Sequence, residues 1–427
     1  MAKRKNTENC SENQDHISNG FNDLPMELIR EILLRLSIKQ LGNLSCVSKQ
    51  WQTIIYDRSF AKFHLQNSRF STRRCLFVLD FHAYAEIVDL DSVFHLNSDS
   101  AMGSISLPFS PMKRKIHPRV HLIGSCNGLV CLHREPYSLT VWNPTTGSYK
   151  VFSYYRHIVR NSYPLEKTWN CLKPLRITLL SGFGYDESKD DYLVIAAWKD
   201  KKEENHFDFY SLRSHSWKSF DVALPNNTTR RRDPGLFFNG ALHWLPEDIN
   251  DDKILVFDIT KKRFSVISKP EKDVISYHAK MMVLGGCLAL YFTVKSSIHG
   301  KIWIMKEYKV HKSWTLYKNP KGLFQPLCVS SDGNLVGLSG NSSLMKARAN
   351  VERELSYASG VHVGYHTYED HKSIMYTQSF MPLPSEKKKK KREGQQEDDH
   401  NEVKQGKRRR STENFTANVF ESSPIFK

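Results

Sequence analysis

Four times along this chain an aromatic residue ends an apolar run, a polar turn follows, and a second aromatic stands six or seven positions later. The pairs are Trp142 and Tyr149 in VWNPTTGSYKVF, Tyr210 and Trp217 in FYSLRSHSWKSF, Phe257 and Phe264 in VFDITKKRFSVI, and Tyr308 and Trp314 in EYKVHKSWTLY. A β-hairpin explains this spacing, because rings on paired strands can face each other across the turn and pack against a neighbouring sheet. Upstream of the hairpins lie CNGLVCL, YDESKDDYLVI, FNGALHWL and LGGCLALYF, each a turn leading into a strand. One unit therefore reads turn, strand, strand, hairpin, strand.

The step from Phe257 to Tyr308 is about fifty residues, the length of a kelch-like four-stranded blade. The step from Trp142 to Tyr210 is longer, and an insertion around SYYRHIVRNSYPLEKTWNCLKP accounts for it. β-rich segments at Arg73–Leu90 and Gln325–Leu383 supply material for further blades. Closing the blades into a propeller would leave no long exposed edge. An open β-sandwich whose hairpins are alike by chance is the alternative, and the spacing leaves the blade number open.

Ahead of this region, residues 22–60 have a helical grammar. Asp23 is a good N-cap, Pro25 suits the first turn, and Glu27 sits well near the positive helix end. Leu24, Leu28, Ile29, Ile32, Leu33 and Leu36 recur at helical spacing; Ile38 and Leu41 mark a second helix, and Leu44, Val47, Trp51 and Ile54 a third. Three short helices of roughly forty residues seldom stabilise themselves, so the surplus apolar surface calls for a partner.

The helical segment resembles the F-box. Leu24-Pro25, Glu27-Leu28, Ile32-Leu33, Arg35-Leu36, Leu41, Val47, Lys49, Trp51, Ile55 and Asp57 stand in that family's order, with Ser37 and Arg58 where proline is common. Neither departure is expected to be a core contact. The β region resembles the F-box-associated domain of plant proteins. It does so through Gly124-Ser125-Cys126-Asn127-Gly128-Leu129, Trp142-Asn143-Pro144-Thr145-Thr146-Gly147, Gly182-Phe183-Gly184-Tyr185-Asp186, Tyr210-Ser211-Leu212 with Ser216-Trp217, and Asn239-Gly240-Ala241-Leu242-His243-Trp244.

Together these resemblances imply a small all-α F-box followed by an all-β kelch-like propeller. The implied role is that of a substrate receptor in an SCF ubiquitin ligase, with no catalytic residue, cofactor or metal of its own. The implied partners are a Skp-type linker, through it cullin, and a protein substrate to be ubiquitinated. Leu24, Pro25, Leu28, Ile29, Ile32, Leu33, Leu36, Leu41, Val47 and Trp51 would carry the linker interface or its supporting core. The alternative is a basic propeller that binds nucleic acid or nuclear proteins, with the helices serving as a cap. Its aromatics, however, sit at blade-core spacing instead of interleaving with cations along a groove. No specific nucleic acid is therefore expected.

Catalytic and metal patterns read as structure. Gly182-Phe183-Gly184 lacks the helix of a phosphate loop and is taken for a blade turn. Cys126 and Cys131, five apart in a strand context, are expected on opposite faces as core thiols. Asp186-Glu187 with Asp190-Asp191, and Glu247-Asp248 with Asp251-Asp252, lack calcium-loop spacing and read as solvated turns. His243 reads as a packed histidine. No apolar run reaches the ~18 residues of a membrane span, and the first residues lack a secretory core, so the nucleus and cytoplasm are the expected compartments.

Charge sharpens the partner. Of the formal net charge of +17, twelve basic and eight acidic residues follow Pro384 and three of each precede residue 21, which leaves +13 between them. A basic β domain favours an acidic substrate surface. Arg230, Arg231 and Arg232, then Lys113, Arg114 and Lys115, are the first substrate-contact candidates. The tail carries Lys387, Lys388, Lys389, Lys390, Lys391 and Arg392, then Lys407, Arg408, Arg409 and Arg410, the pattern of a bipartite nuclear import signal in a segment too polar to fold. The expected organisation is a disordered N-terminus at 1–20, the F-box at 21–61, a linker at 62–72, the β domain at 73–384 and a disordered tail at 385–427.

Overall fold

The computed structural model describes residues 24–67, 73–78, 84–90, 92–94, 101–108, 120–134, 137–159, 161, 178–225, 233–245, 251–270, 276–294, 300–317, 324–330, 332–339, 343–347, 355–362 and 372–384. Four helices come first: α1 Met26–Leu34, α2 Ile38–Ser45, α3 Lys49–Ile55 and α4 Arg58–Asn67. The spacing had marked three. Leu44 belongs to α2, and α4 is a separate helix that continues past residue 61. At the first helix the cap is Pro25, whose carbonyl accepts from the Leu28 and Ile29 N–H groups, while Asp23 lies outside the described residues. Ser37 caps α2 with a full capping box: its hydroxyl accepts from the Gln40 N–H, and the Gln40 side chain accepts from the Ser37 N–H. Proline at 37 could not donate that second bond.

Strands β1 to β24 form six four-stranded antiparallel sheets. Five are built in chain order: β4 Val120–Cys126, β5 Leu129–Arg134, β6 Ser138–Trp142 and β7 Tyr149–Ser153; β8 Thr178–Asp186, β9 Asp191–Lys199, β10 Asn205–Ser211 and β11 Ser216–Ser219; β12 Leu236–Phe238, β13 Ala241–Trp244, β14 Lys253–Asp258 and β15 Arg263–Ser268; β16 Ser276–Leu284, β17 Cys287–Val294, β18 Gly300–Met305 and β19 Trp314–Tyr317; and β20 Phe324–Val329, β21 Leu335–Ser339, β22 Ser343–Ala347 and β23 Leu355–His362. The sixth joins both ends of the domain, with β24 Lys372–Thr377 pairing antiparallel to β1 Arg73–Val78, followed by β2 Tyr84–Asp89 and β3 Met102–Ser106. Each sheet shares an apolar core with the next. Phe77 and Val88 meet Val336 and Leu344, Leu76 and Tyr376 meet Val130 and Trp142, Leu193 and Phe207 meet Leu242 and Phe257, and so on around the ring. Six cores between six sheets make a closed propeller, which excludes the open sandwich.

Three of the four aromatic hairpins pair as expected, with Trp142 opposite Tyr149, Tyr210 opposite Trp217 and Phe257 opposite Phe264. Each is the outer hairpin of its blade. The fourth differs: Trp314 pairs with Met305, and Tyr308 sits in the connecting turn beside a 3-10 turn at His311–Ser313. The lengthened step falls between β7 and β8, where Tyr155–Val159 form a short π-type turn.

The Gly-X-Gly run lies inside β8 and is not a turn. Its glycines admit the next blade: a Cβ on Gly182 would meet Leu242 at 2.8 Å, and one on Gly184 would meet Ile259 at 2.5 Å. Cys126 and Cys131 lie on consecutive strands, β4 and β5, and enter one core, contrary to the opposite-face expectation; burial pushes both thiols up. The Asn127-Gly128 turn between them offsets the alternation that would hold along a single strand.

Candidate functional site

The helical domain turns large apolar side chains to solvent. Leu28 and Ile32, one turn apart on α1, are 51% and 45% exposed, Met26 is 45% exposed, and Val47, in the turn between α2 and α3, is 70% exposed. Gln50 on α3 reaches the Met26 sulfur at 4.0 Å, which places the Val47 turn beside the start of α1. Pro25 is also exposed, while Leu24, Leu36 and Trp51 are half-buried. Ile29, Leu33 and Leu41 are buried with Ile38, Ile55 and Phe60 behind this face. The ten residues that the F-box resemblance singles out thus divide into an outward set and a set that packs beneath it.

Behind the helices, the same core continues into the propeller, to Ile123, Phe183 and Tyr192. Antiparallel order puts the first-to-second and third-to-fourth turns of a blade on one face, and that face meets α4. Arg58 donates Nε–H to Asp190 Oδ2 (2.9 Å) and Nη2–H to Oδ1 (2.8 Å), in the β8–β9 turn. Asp190 also accepts from Arg213 (2.6 Å) and the Tyr185 hydroxyl (2.6 Å). Burial pushes the Asp190 carboxyl up, but the Arg58 and Tyr185 hydrogen bonds and the charges of Arg58 and Arg213 outweigh it and bring it to about 2. Lys62 adds an ion pair to Glu187 (3.3 Å) and lies over the Tyr185 ring.

This overturns two sequence expectations. The acidic run at 186–191 is not a solvated turn, since Asp186 and Asp191 are buried and Asp190 is the hub of a cation cluster. Arg58, not expected to be a core contact, lies over the ring of buried Tyr192 and is the main polar link between the domains. Its departure from proline was the available signal.

The chain then contributes a strap. After β24, residues 378–384 run between the helices and the second blade. Asn143 donates to the Ser379 and Met381 carbonyls (3.0 and 2.9 Å), the Ser379 hydroxyl donates to the Asn127 carbonyl (3.1 Å), and Arg58 donates to the Pro382 carbonyl (3.3 Å). Phe380 meets Tyr56 edge-on, centroids 5.3 Å apart. Gly128, at φ +80°, keeps the strap close: a Cβ there would stand 2.0 Å from the Ser379 hydroxyl.

Other groups resolve as structure. His243 is buried, with Nε2 2.7 Å from the Tyr308 hydroxyl, and desolvation lowers it to about 4. Among the described residues, Asp200, Glu204 and His206 bring three possible metal-ligand atoms within 4.8 Å. There one Asp200 oxygen accepts from the Lys202 and Glu204 N–H groups and closes the β9–β10 turn. Lys113–Lys115, Arg230–Arg232, Glu247-Asp248 and the two basic tail clusters lie outside the described residues.

With the propeller and the outward helical face in place, residues 74–379 match the F-box associated beta propeller domain, and residues 21–63 match the F-box domain. The chain belongs to the F-box-associated β-propeller family. Among its relatives in Arabidopsis thaliana, the F-box/kelch-repeat protein At3g23880 is 29% identical over 341 residues, covering 75% of this chain and 86% of the relative. The F-box protein CPR1 is 28% identical over 356 residues, covering 75% and 80%. F-box proteins of this type are in general non-catalytic adaptors. The pairing of F-box and propeller implies an SCF substrate-receptor role, and the F-box implies binding to a Skp-type adaptor and through it to cullin.

Proposed function

We propose that this F-box protein docks on its Skp-type linker through Pro25, Leu28, Ile32 and Val47, with Leu24, Leu36 and Trp51 at the margin and Ile29, Leu33 and Leu41 as supporting core. The propeller then recruits a protein substrate for ubiquitination and proteasomal degradation. The observation that carries the reading is the outward position of Leu28, Ile32 and Val47 on a domain whose inner face is already filled by the propeller. Apolar side chains clustered in this way are what a partner's groove takes up. The substrate surface is proposed to be acidic, met by Arg230–Arg232 and Lys113–Lys115 on connections that follow the outer strands β11 and β3. The tail clusters Lys387–Arg392 and Lys407–Arg410 are proposed to direct part of the protein to the nucleus.

The test is co-purification with the Skp-type linker, comparing the native chain with Leu28→Ala/Ile32→Ala. Retention of the linker by the native chain and its loss from the variant supports the reading; equal recovery from both, or none from the native chain, rejects it. Deleting residues 387–410 should move the protein out of the nucleus, and an unchanged distribution would remove the import role.

A further inference from the structure

We infer that the C-terminal strap and Arg58 hold the F-box at one fixed orientation on the propeller, which makes them positioning residues for ubiquitin transfer. The inference rests on the receptor reading above and adds to it a mechanical part that the chain supplies from its own far end.

The strap is joined to both bodies by contacts of different kinds. On the propeller, the Asn143 amide binds the carbonyls of residues 379 and 381 together, which sets the strap's register. The Thr145 hydroxyl accepts from the Ser379 N–H (3.3 Å), and Lys150 donates to the Pro384 carbonyl. On the helical side, the Phe380 ring stands against Tyr56 and beside Gly42 of α2. Phe380 and Met381 are buried in the core that also contains Leu33, Leu41 and Ile55. Arg58 binds the strap at Pro382 and the third blade at Asp190 simultaneously, so one guanidinium ties three segments. The planar fork makes this link directional.

A hinge needs an axis about which contacts can slide. Here the Phe380 wedge packs on α2 and Tyr56, while the Arg58 fork and the Lys62–Glu187 pair grip the β8–β9 turn, so a change of orientation must break contacts to the strap and to the third blade together. β24 closes the propeller immediately before the strap, so ring closure and domain docking are made by one continuous stretch of chain. A receptor fixed in this way presents its substrate at a constant distance from the ligase end, which raises the local concentration of the acceptor lysine at the charged conjugating enzyme.

The experiment uses the full chain with bio-orthogonal spin labels at the exposed positions Lys39 on α2 and Lys312 in the β18–β19 connection, and measures their distance distribution by pulsed electron resonance. The native chain should give a single narrow distribution, and Arg58→Ala/Phe380→Ala one at least twice as wide. Arg58→Lys, which keeps the charge and loses the fork, should fall between. If the double variant does not fold, Arg58→Ala alone serves the same comparison. A broad native distribution, or variants as narrow as the native chain, overturns the inference.

In a reconstituted ligase, the lysines of the receptor modified by ubiquitin should form a restricted set in the native chain and spread to more sites in the variant, with linker recovery equal. An identical set in both rejects the positioning role. Should the linker fail to bind the native chain, the receptor reading falls, while the distance measurement still decides the orientation.

Discussion

The helices and the propeller treat their apolar residues in opposite ways. In β9, Asp191–Lys199, every residue but the last is buried, because blades cover both faces of each sheet. In α1, Met26–Leu34, only Ile29 and Leu33 are buried, and Leu28 and Ile32 stand in solvent. One region completes itself by closing a ring; the other remains open toward a partner. Large apolar residues in the propeller should therefore govern stability, and those on the outer side of α1 should govern association.

The largest effect should come from Phe257→Ala. Phe257 is fully buried, with its ring centroid about 5 Å from those of Phe207, Phe220 and Phe264. Its loss should cost about 3–5 kcal/mol in chemical denaturation. A cost under about 1 kcal/mol would mean that the blades are less tightly packed than the contrast requires.

Next, Leu28→Ala/Ile32→Ala should weaken linker binding by about 1–2 kcal/mol for each truncated side chain, as measured by calorimetry. The denaturation midpoint should stay near that of the native chain, because neither side chain belongs to the core. A large fall in stability would break the comparison from the other side.

Asn143→Ala tests the seam between the regions. It leaves two buried strap carbonyls without donors, for which about 1–3 kcal/mol is expected. Amide exchange in residues 379–383 should rise before exchange in β5 or β9 does; simultaneous exchange would show that the strap is not a separate step.

The smallest effect is in pH. The Asp190 carboxyl is lowered to about 2 in the fold, so its contribution is fully present above its ordinary value near 3.8 and is lost as pH falls through about 2. The stability difference between the native chain and Asp190→Asn should be constant from pH 7 to about 4 and shrink below that. A difference that changes between pH 7 and 5 would contradict the Arg58 cluster.

Much of the architecture was legible from local pattern. The Asn-Gly and Gly-Gly turns lead into second strands as expected, since Asn127, Gly128, Asn239, Gly240, Gly285 and Gly286 all have positive φ and tight hairpins need it. The fourth hairpin departs from the expected pairing because Tyr308 and Trp314 match the aromatic spacing across a longer connection. Ring-to-ring distance in sequence cannot distinguish a strand end from a turn. The outward face of α1 was legible as surplus, but Leu28 and Ile29 are equally apolar, and only packing against the propeller separates the exposed residue from the buried one.

By itself, the sequence determined the elements that depend on near neighbours: the blade unit, the hairpin turns, the helices and an apolar surplus at the N-terminal end. Tertiary structure alone decided the rest. Six blades close because β24 reaches back to β1, and Arg58 matters because it meets Asp190 and Pro382, 132 and 324 positions away in the chain. The physical reason is that strand and turn preferences are properties of adjacent residues. Charge pairing and ring closure depend on which distant segments the packed core brings together.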